Sequence, residues 1–454
     1  MASIRKRGNS YQIRVSCGYN IHNEQIFKTM TYKPLPGMTE KQIEKQVNKV
    51  AFEFEQKCQN GLILDNNIKF ADFAEKWFKE YAQKQLKAKT VHSYKELFVN
   101  VNNALGHLKL SSIQPFHLIE FYNNLAEEGV RADTKYKATV NLRKVLKDEG
   151  LTQTNLMNLT SLSESTIRSA LNNKNINCKS AKAISNVLNN TKLFEPVNPN
   201  KTLVSSTIRR YHYFISSILS RAVEWQVIPY NPCTRVKPPK VIEKEQAFLD
   251  NLQAIDFIEK LDNAPLKYKA LVNLYIDSGA RRGEILGLEW ADIIKEDCLI
   301  NISKESIYVP GLGVFDDTPK NDESKRVIKI SSETVKLLLL WKKEQSRTRL
   351  LMGDQWQGSK KIFTSNSGGP MHPDTASWWI KKFAESNNFS GIHTHSLRHT
   401  NATLLIANGT DLRTVANRLG HTKTSTTTNI YTHAIKMADE KASDTLSTIL
   451  SRKA

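Results

Sequence analysis

With 454 residues the chain is too long for one ordinary core, so two to four domains are expected. Hydrophobic residues make up 40% and charged residues 24%, the balance of a soluble globular protein, and no apolar run is long enough to cross a bilayer. The net charge of +20 speaks of partners and not of fold; it points to a polyanion, and to nucleic acid before a membrane surface, because no long basic amphipathic helix stands out.

The five cysteines, Cys17, Cys58, Cys178, Cys233 and Cys298, are scattered with no CxxC pair. That argues against a zinc knuckle or a disulfide framework and suits free thiols in a reducing compartment. The N-terminus MASIRKRGNSYQIRV lacks the apolar segment of a secretory signal, so a cytoplasmic location is expected.

Residues 1–33 alternate apolar and polar positions around the turn segment GYNIHNE and read as short strands. TEKQIEKQVNKVAFEFEQKCQNG follows with helical spacing at Ile43, Val47, Val50 and Phe54 and a stop at Gly61. The first strand carries Arg5, Lys6, Arg7 and Arg14 before any acid. It is either a solvated basic edge or a sheet that touches DNA.

FADFAEKWFKEYAQ, KTVHSYKELFVNVNNAL and PFHLIEFYNNLAEEG read as three helices that need a fourth, residues 202–229, to complete a bundle. Residues 134–200 between them read as four further helices and look inserted into the bundle. NPCTRVKPPKVIEKEQ is rich in proline and charge and reads as a linker. From about 247 onward helices alternate with a short sheet, whose clearest strands are CLINISKESIYV and SKRVIKI.

Four segments of the last part supply unusual residues. In DSGARRGEILGLEW, Ser278-Gly279 breaks one helix and another begins near Arg281, with Glu284 on the same face. An arginine at a helix N-terminus suits a phosphate. In TPKNDESKRVIKI, Lys320 lies in a turn entering a strand. In HTHSLRHT, His395 and Arg398 share a helical face. In LGHTKTSTTTNIYTH, His421 follows Gly420 and Tyr431 comes ten positions later. Each alone has an ordinary reading: a surface ion pair, a solvated lysine, a core tyrosine.

Taken in order, G-A-R-x-G-E, the strand-turn lysine, H-S-L-R-H-T, L-G-H and I-Y-T-H resemble the tyrosine recombinase family, and most of all the integrases of phages and conjugative transposons. The resemblance is specific over 247–435 and looser over 1–130 and 201–240. It implies a multidomain chain, mainly α with small β-sheets. An arm-binding-like sheet-plus-helix domain would span 1–64. A helical core-binding domain would span 67–133 and 201–232, interrupted by the insert at 134–200. After a linker at 233–246, a mixed α+β catalytic domain would span 247–454.

By the same resemblance Tyr431 attacks a DNA phosphate, giving a 3′-phosphotyrosyl bond and a free 5′-hydroxyl. Arg281 and Arg398 clamp the non-bridging oxygens, His395 accepts the tyrosyl proton, His421 hydrogen-bonds the phosphate and Lys320 protonates the leaving 5′-oxygen. Glu284 orients Arg281 without reacting. The chemistry is that of phosphoryl transfer, in which charge builds on oxygens that forked donors can hold. No cofactor and no metal are expected, since nothing resembles the carboxylate cluster of a two-metal nuclease. The implied partners are double-stranded DNA attachment sites, a homotetramer at synapsis, and an excisionase and a DNA-bending protein. Leu446, Ile449 and Leu450 at helical spacing suggest a C-terminal helix docked on a neighbouring protomer or on its own domain. Two other functions compete: a type IB topoisomerase-like relaxing enzyme, and a non-enzymatic helix-turn-helix transcriptional regulator.

The second of these arises from LTQTNLMNLTSLSESTIRSALNNK, which looks like a phage-repressor helix-turn-helix. Leu156, Leu162, Ile167 and Leu171 would be its core, and Ser161 holds the turn position where glycine is usual. Residues 134–195 carry ten Lys or Arg against four acids. Ser165, Thr166, Arg168 and Ser169 are the candidate base contacts, and Lys135, Lys144 and Lys174 the candidate phosphate contacts. The plain alternative is a helical spacer.

Overall fold

The computed structural model describes residues 2–19, 23–59, 68–127, 134–198, 202–242, 246–318 and 325–420, with Ser443, Ser447, Leu450 and Ser451. The chain divides into two units, Met1–Ile242 and Glu243–Ala454. Among the described residues no helix is long and apolar enough to cross a membrane.

The alternation at the start of the first unit produces strands Ser3–Arg7, Ser10–Tyr19 and Gln25–Tyr32, paired antiparallel in chain order. Ile13 and Val15 point to one face and are buried with Ala51 and Phe54 of the helix Glu40–Gln59. Register then sorts the basic residues. Arg5 lies opposite Gln12, and Arg14 opposite Ser3 and Thr29, on the uncovered face, where the Arg14 guanidinium sits 3.5 Å from the centre of the Phe27 ring. Lys6 lies opposite Tyr11 on the side that the helix covers.

Phe70–Trp77, Ala88–Leu105, Pro115–Ala126 and Ser205–Glu224 contribute to one core, with Phe73, Trp77, Val101, Leu118, Phe214 and Ile218 among its buried residues. The first helix continues as a π-helical turn, Phe78–Ala82. The linker expected from 233 begins later. Pro232–Arg235 forms a 3-10 turn, and Cys233 and Val236 are buried in the bundle core. Two apolar side chains that can reach a core outweigh the nearby prolines.

Residues 134–198 have a separate core that includes Leu142, Leu156, Ile167, Leu171 and Ile184, with Leu162 packed against it. Helices Leu142–Asp148, Gln153–Thr160, Glu164–Leu171 and Cys178–Val187 are each capped by a side chain, from Asn141, Thr152, Ser163 and Asn177 respectively. Ser161 takes φ +54, the left-handed turn between the second and third helices. The sequence reading of helices alone missed a three-stranded sheet. Lys135–Ala138 lies between Ile176–Asn177 and Phe194–Pro196, with Tyr136 opposite Pro196. The first and last strands of the segment are therefore neighbours.

In the second unit helices Asn251–Lys260, Leu266–Ser278, Ser332–Met352, Pro373–Ser386 and Thr394–Ala407 enclose a core with Phe257, Leu271, Tyr275, Leu338, Phe363, Ile380 and Leu397. The run CLINISKESIYV is not one strand. Leu299–Ile302 sits between Arg326–Lys329 and Ile293–Ile294, while Glu305–Val309 pairs with Gly313–Asp317 in a separate hairpin. Buried Lys361 ties that hairpin down, donating from Nζ to the Gly287 carbonyl at 2.7 Å and to Asp316 Oδ2 at 2.6 Å.

Candidate active site

The helix Leu266–Ser278 ends at Gly279, which has φ +62. A Cβ there would lie 2.5 Å from Asn401 Oδ1, so both backbone and space call for glycine. The chain turns and Arg281 caps the short helix Arg282–Gly287. Glu284, one turn in, reaches back: the Arg281 backbone N–H donates to its Oε2 at 2.8 Å, and Arg281 Nη1 to its Oε1 at 2.8 Å. Arg281 Nη2 donates to the Gly420 carbonyl at 3.1 Å.

Glu284 is only 3% exposed and takes a second arginine. Arg326, at the start of its strand, donates from Nη2 to Oε2 at 2.8 Å and from Nη1 to Oε1 at 3.3 Å, and its Nε donates to the Arg418 carbonyl at 2.7 Å. Burial alone would push the Glu284 carboxyl up. The Arg326 hydrogen bonds, and then the charges of Arg326 and Arg281, outweigh it and bring the pKa down to about 2. The carboxylate is thus ionised and fully engaged.

The helix Thr394–Ala407 supplies the rest. Arg398, 2% exposed, donates from Nη1 to the Gly279 carbonyl at 2.9 Å and from Nη2 to the Leu419 carbonyl at 2.7 Å. His395, one turn earlier, reaches solvent. Partial burial of its ring, and then the charges of Arg398, His393 and Arg281, lower its pKa below the ordinary imidazole value. Its ring meets the buried His399 ring edge to face, 4.6 Å between centroids.

Three guanidiniums therefore hold three consecutive carbonyls, Arg418, Leu419 and Gly420, at the C-terminal end of the helix Leu412–Leu419. That is the negative end of the helix dipole, where carbonyls lack helical partners. Gly420 turns the chain with φ +66.

Of the residues expected from sequence, Arg281, Glu284, His395 and Arg398 are brought together here. Lys320, His421 and Tyr431 lie outside the described residues, although Gly420, held by Arg281, directly precedes His421. Arg326 was missed. Its signal was faint: it shares a strand face with buried Ile328, while Val327 between them is 57% exposed. Arg5, Lys6, Arg7 and Arg14 are on the N-terminal sheet, and Ser165, Thr166, Arg168 and Ser169 on the helix Glu164–Leu171, all in the first unit. Arg168 is already paired with Glu164 at 2.6 Å.

A buried arginine beside a partly exposed one, an ionised carboxylate and a neutral imidazole suit a phosphoryl group undergoing substitution. Residues 247–437 match the phage integrase family, and residues 69–126 match the phage integrase N-terminal SAM-like domain. Over these two stretches the chain belongs to this family, the tyrosine recombinases, and its fold is multidomain and mainly helical. The ICEBs1 integrase of Bacillus subtilis is 30% identical over 52% of this chain and 64% of its own length. The tyrosine recombinase XerC-like protein of Caldanaerobacter subterraneus is 30% identical over 53% of this chain and 66% of its own. The chain thus spans just under two thirds of these relatives. In fold it is similar to the Tn1549 transposon integrase in complex with transposon right end DNA. The TM-score is 0.53 at 16% identity, covering 84% of this chain and 100% of that one. Residues 134–200 lie between the two matched stretches.

Proposed function

We propose that the chain is a site-specific DNA recombinase that integrates or excises a mobile element. The observation that carries this reading is the convergence of Arg281 and Arg398 on the carbonyls of Gly420 and Leu419, immediately before His421. A phosphodiester placed there meets two forked donors. Tyr431 Oη attacks phosphorus and passes its proton to neutral His395. The P–O5′ bond breaks and Lys320 gives the 5′-oxygen a proton, leaving a 3′-phosphotyrosyl bond and a 5′-hydroxyl. Glu284 holds Arg281, and His421 donates to the phosphate. Because the phosphoester bond is exchanged and not hydrolysed, a 5′-hydroxyl from another strand reseals it without ATP.

In the first unit, double-stranded attachment sites are held by the uncovered face of the N-terminal sheet and by the helix-turn-helix of the insert, in the cytoplasm. Two rounds of strand exchange require four nucleophiles, hence a homotetramer at synapsis, aided by an excisionase and a DNA-bending protein. Its C-terminal docking residues Leu446 and Ile449 lie outside the described residues; Leu450 is 71% exposed. The test is a nicked suicide duplex. The wild-type chain is expected to form a covalent protein–DNA adduct, and Tyr431→Phe to bind equally and form none. An adduct with Tyr431→Phe would assign the nucleophile elsewhere, and relaxation of supercoils with a single site would favour a topoisomerase.

A further inference from the structure

Arg326 has no role in the cleavage steps above, yet its side chain is 9% exposed and bonds both Glu284 and the Arg418 carbonyl at the centre of the site. A charge so buried is retained only with full pairing. Its partners are informative. On one side it forks onto Glu284, the carboxylate that also holds Arg281. On the other it holds the Arg418 carbonyl, two residues before Gly420. A Cβ on Gly420 would come within 2.8 Å of Arg326 Nη1, so the chain leading into His421 lies against this guanidinium.

Charge sharpens the argument. Two guanidiniums, Arg281 and Arg326, share one carboxylate, Glu284, and with Arg398 the three arginines exceed it by two positive charges. Oε1 and Oε2 of Glu284 each accept from both Arg281 and Arg326. With Arg326 gone, the carboxylate would have Arg281 alone to neutralise it, and would draw that guanidinium more strongly away from the phosphate.

We propose that Arg326 is a positioning residue for strand cleavage: by sharing the Glu284 carboxylate with Arg281 and holding the Arg418 carbonyl, it sets the Arg281 guanidinium for the phosphate and fixes the chain entering His421. This rests on the recombinase reading. Arg326 touches no reacting atom; it acts through Glu284 and Arg281.

The test uses the full chain and a duplex selected from a random-sequence pool by binding to it, nicked to trap the adduct. Arg326→Gln is expected to slow adduct formation about 100-fold with affinity changed no more than about 3-fold, because it removes support for a transition-state contact. Arg326→Lys keeps the charge but loses the fork, and should recover part of the rate. The double variant Arg326→Gln/Glu284→Gln removes both charges, restores the excess of two, and leaves no stranded buried carboxylate. It should react at least about 10-fold faster than Arg326→Gln, a coupling that independent sites do not show. A thermal melt of each variant reports folding. Arg326→Gln cleaving at the wild-type rate would overturn the proposal, as would a double variant no faster than the single. No adduct with the wild-type chain on any selected duplex would instead defeat the recombinase reading, and the role of Arg326 with it.

Discussion

Arg398 donates its Nη2 to the Leu419 carbonyl at 2.7 Å, so the most buried arginine of the site is set by the last turn of the helix that leads into His421. Its other fork arm holds Gly279, the break before Arg281. The two arginine segments are thus joined through one side chain, and backbone geometry at the helix end becomes a functional variable.

Gly420→Ala should reveal this. Its φ of +66 strains any Cβ, at a cost on the order of 1 kcal/mol, and that Cβ would also press on Arg326. Covalent capture is expected to fall by about 10-fold or more, as a displaced donor requires. Gly409 has φ +86 with open space around it, so Gly409→Ala carries the strain alone and should leave capture unchanged. Equal capture by both variants would show that the helix end does not set the arginines.

Acid should weaken the second unit in two separable windows. His399 is 4% exposed, and burial, followed by the charges of His395, Arg398 and His393, lowers its pKa to about 4. The unfolded chain takes this proton near pH 6.5 and the folded one does not, so stability falls as pH drops from 6.5 toward 4, on the order of 3 kcal/mol. Glu284, held at about 2, stabilises above about 4.5, and that contribution is lost as pH falls toward 2. His399→Gln should flatten only the upper window and Glu284→Gln only the lower, read as thermal midpoint against pH. An unchanged upper slope in His399→Gln would contradict the buried, neutral imidazole.

Lys320→Ala should cripple cleavage at the leaving-group step. A substrate with sulfur in place of the bridging 5′-oxygen departs without an acid and should restore cleavage by the variant. Failure of that rescue would point to Lys325 or to a purely electrostatic role.

The register of the N-terminal sheet separates its basic residues. Arg5→Ala and Arg14→Ala should each weaken DNA binding and reduce the salt slope by about one charge, whereas Lys6→Ala should do much less. Equal effects at all three would mean that the uncovered face is not the contact surface.

Replacing 134–198 by a short Gly/Ser linker should leave the helical bundle folded, since the first and last strands of that segment pair with each other. The DNase footprint should shorten and affinity should drop, with suicide-substrate cleavage retained. An unchanged footprint and unchanged affinity at two salt concentrations would make the segment a spacer or a protein-docking module.

Much of the site was readable because its residues are local in sequence: Arg281 and Glu284 are a turn apart after a Ser-Gly break, and His395 and Arg398 share a helix face. Arg326 was not, because its partner Glu284 is 42 positions away and a strand arginine ordinarily faces water. The same limit hid the sheet of residues 134–198. Ile176–Asn177 and Phe194–Pro196 are two and three residues long, too short for alternation to register, and exist only because Lys135–Ala138 lies between them. The strand run from Cys298 read as continuous because nothing apolar marks Ser303 and Lys304, where it changes sheet.

Buried Lys361 has a consequence for catalysis by reach. Asp316 is fastened through it to Gly287, and Arg326 is fastened to Glu284, so both ends of the stretch that carries Lys320 are moored to the same six-residue helix. An extended chain spans at most about 3.6 Å per residue, so the Lys320 Cα stays within about 14 Å of Asp316 whatever path the stretch takes. The residue proposed as the acid of the leaving-group step is therefore tied to the helix Arg282–Gly287 from both sides by covalent reach alone.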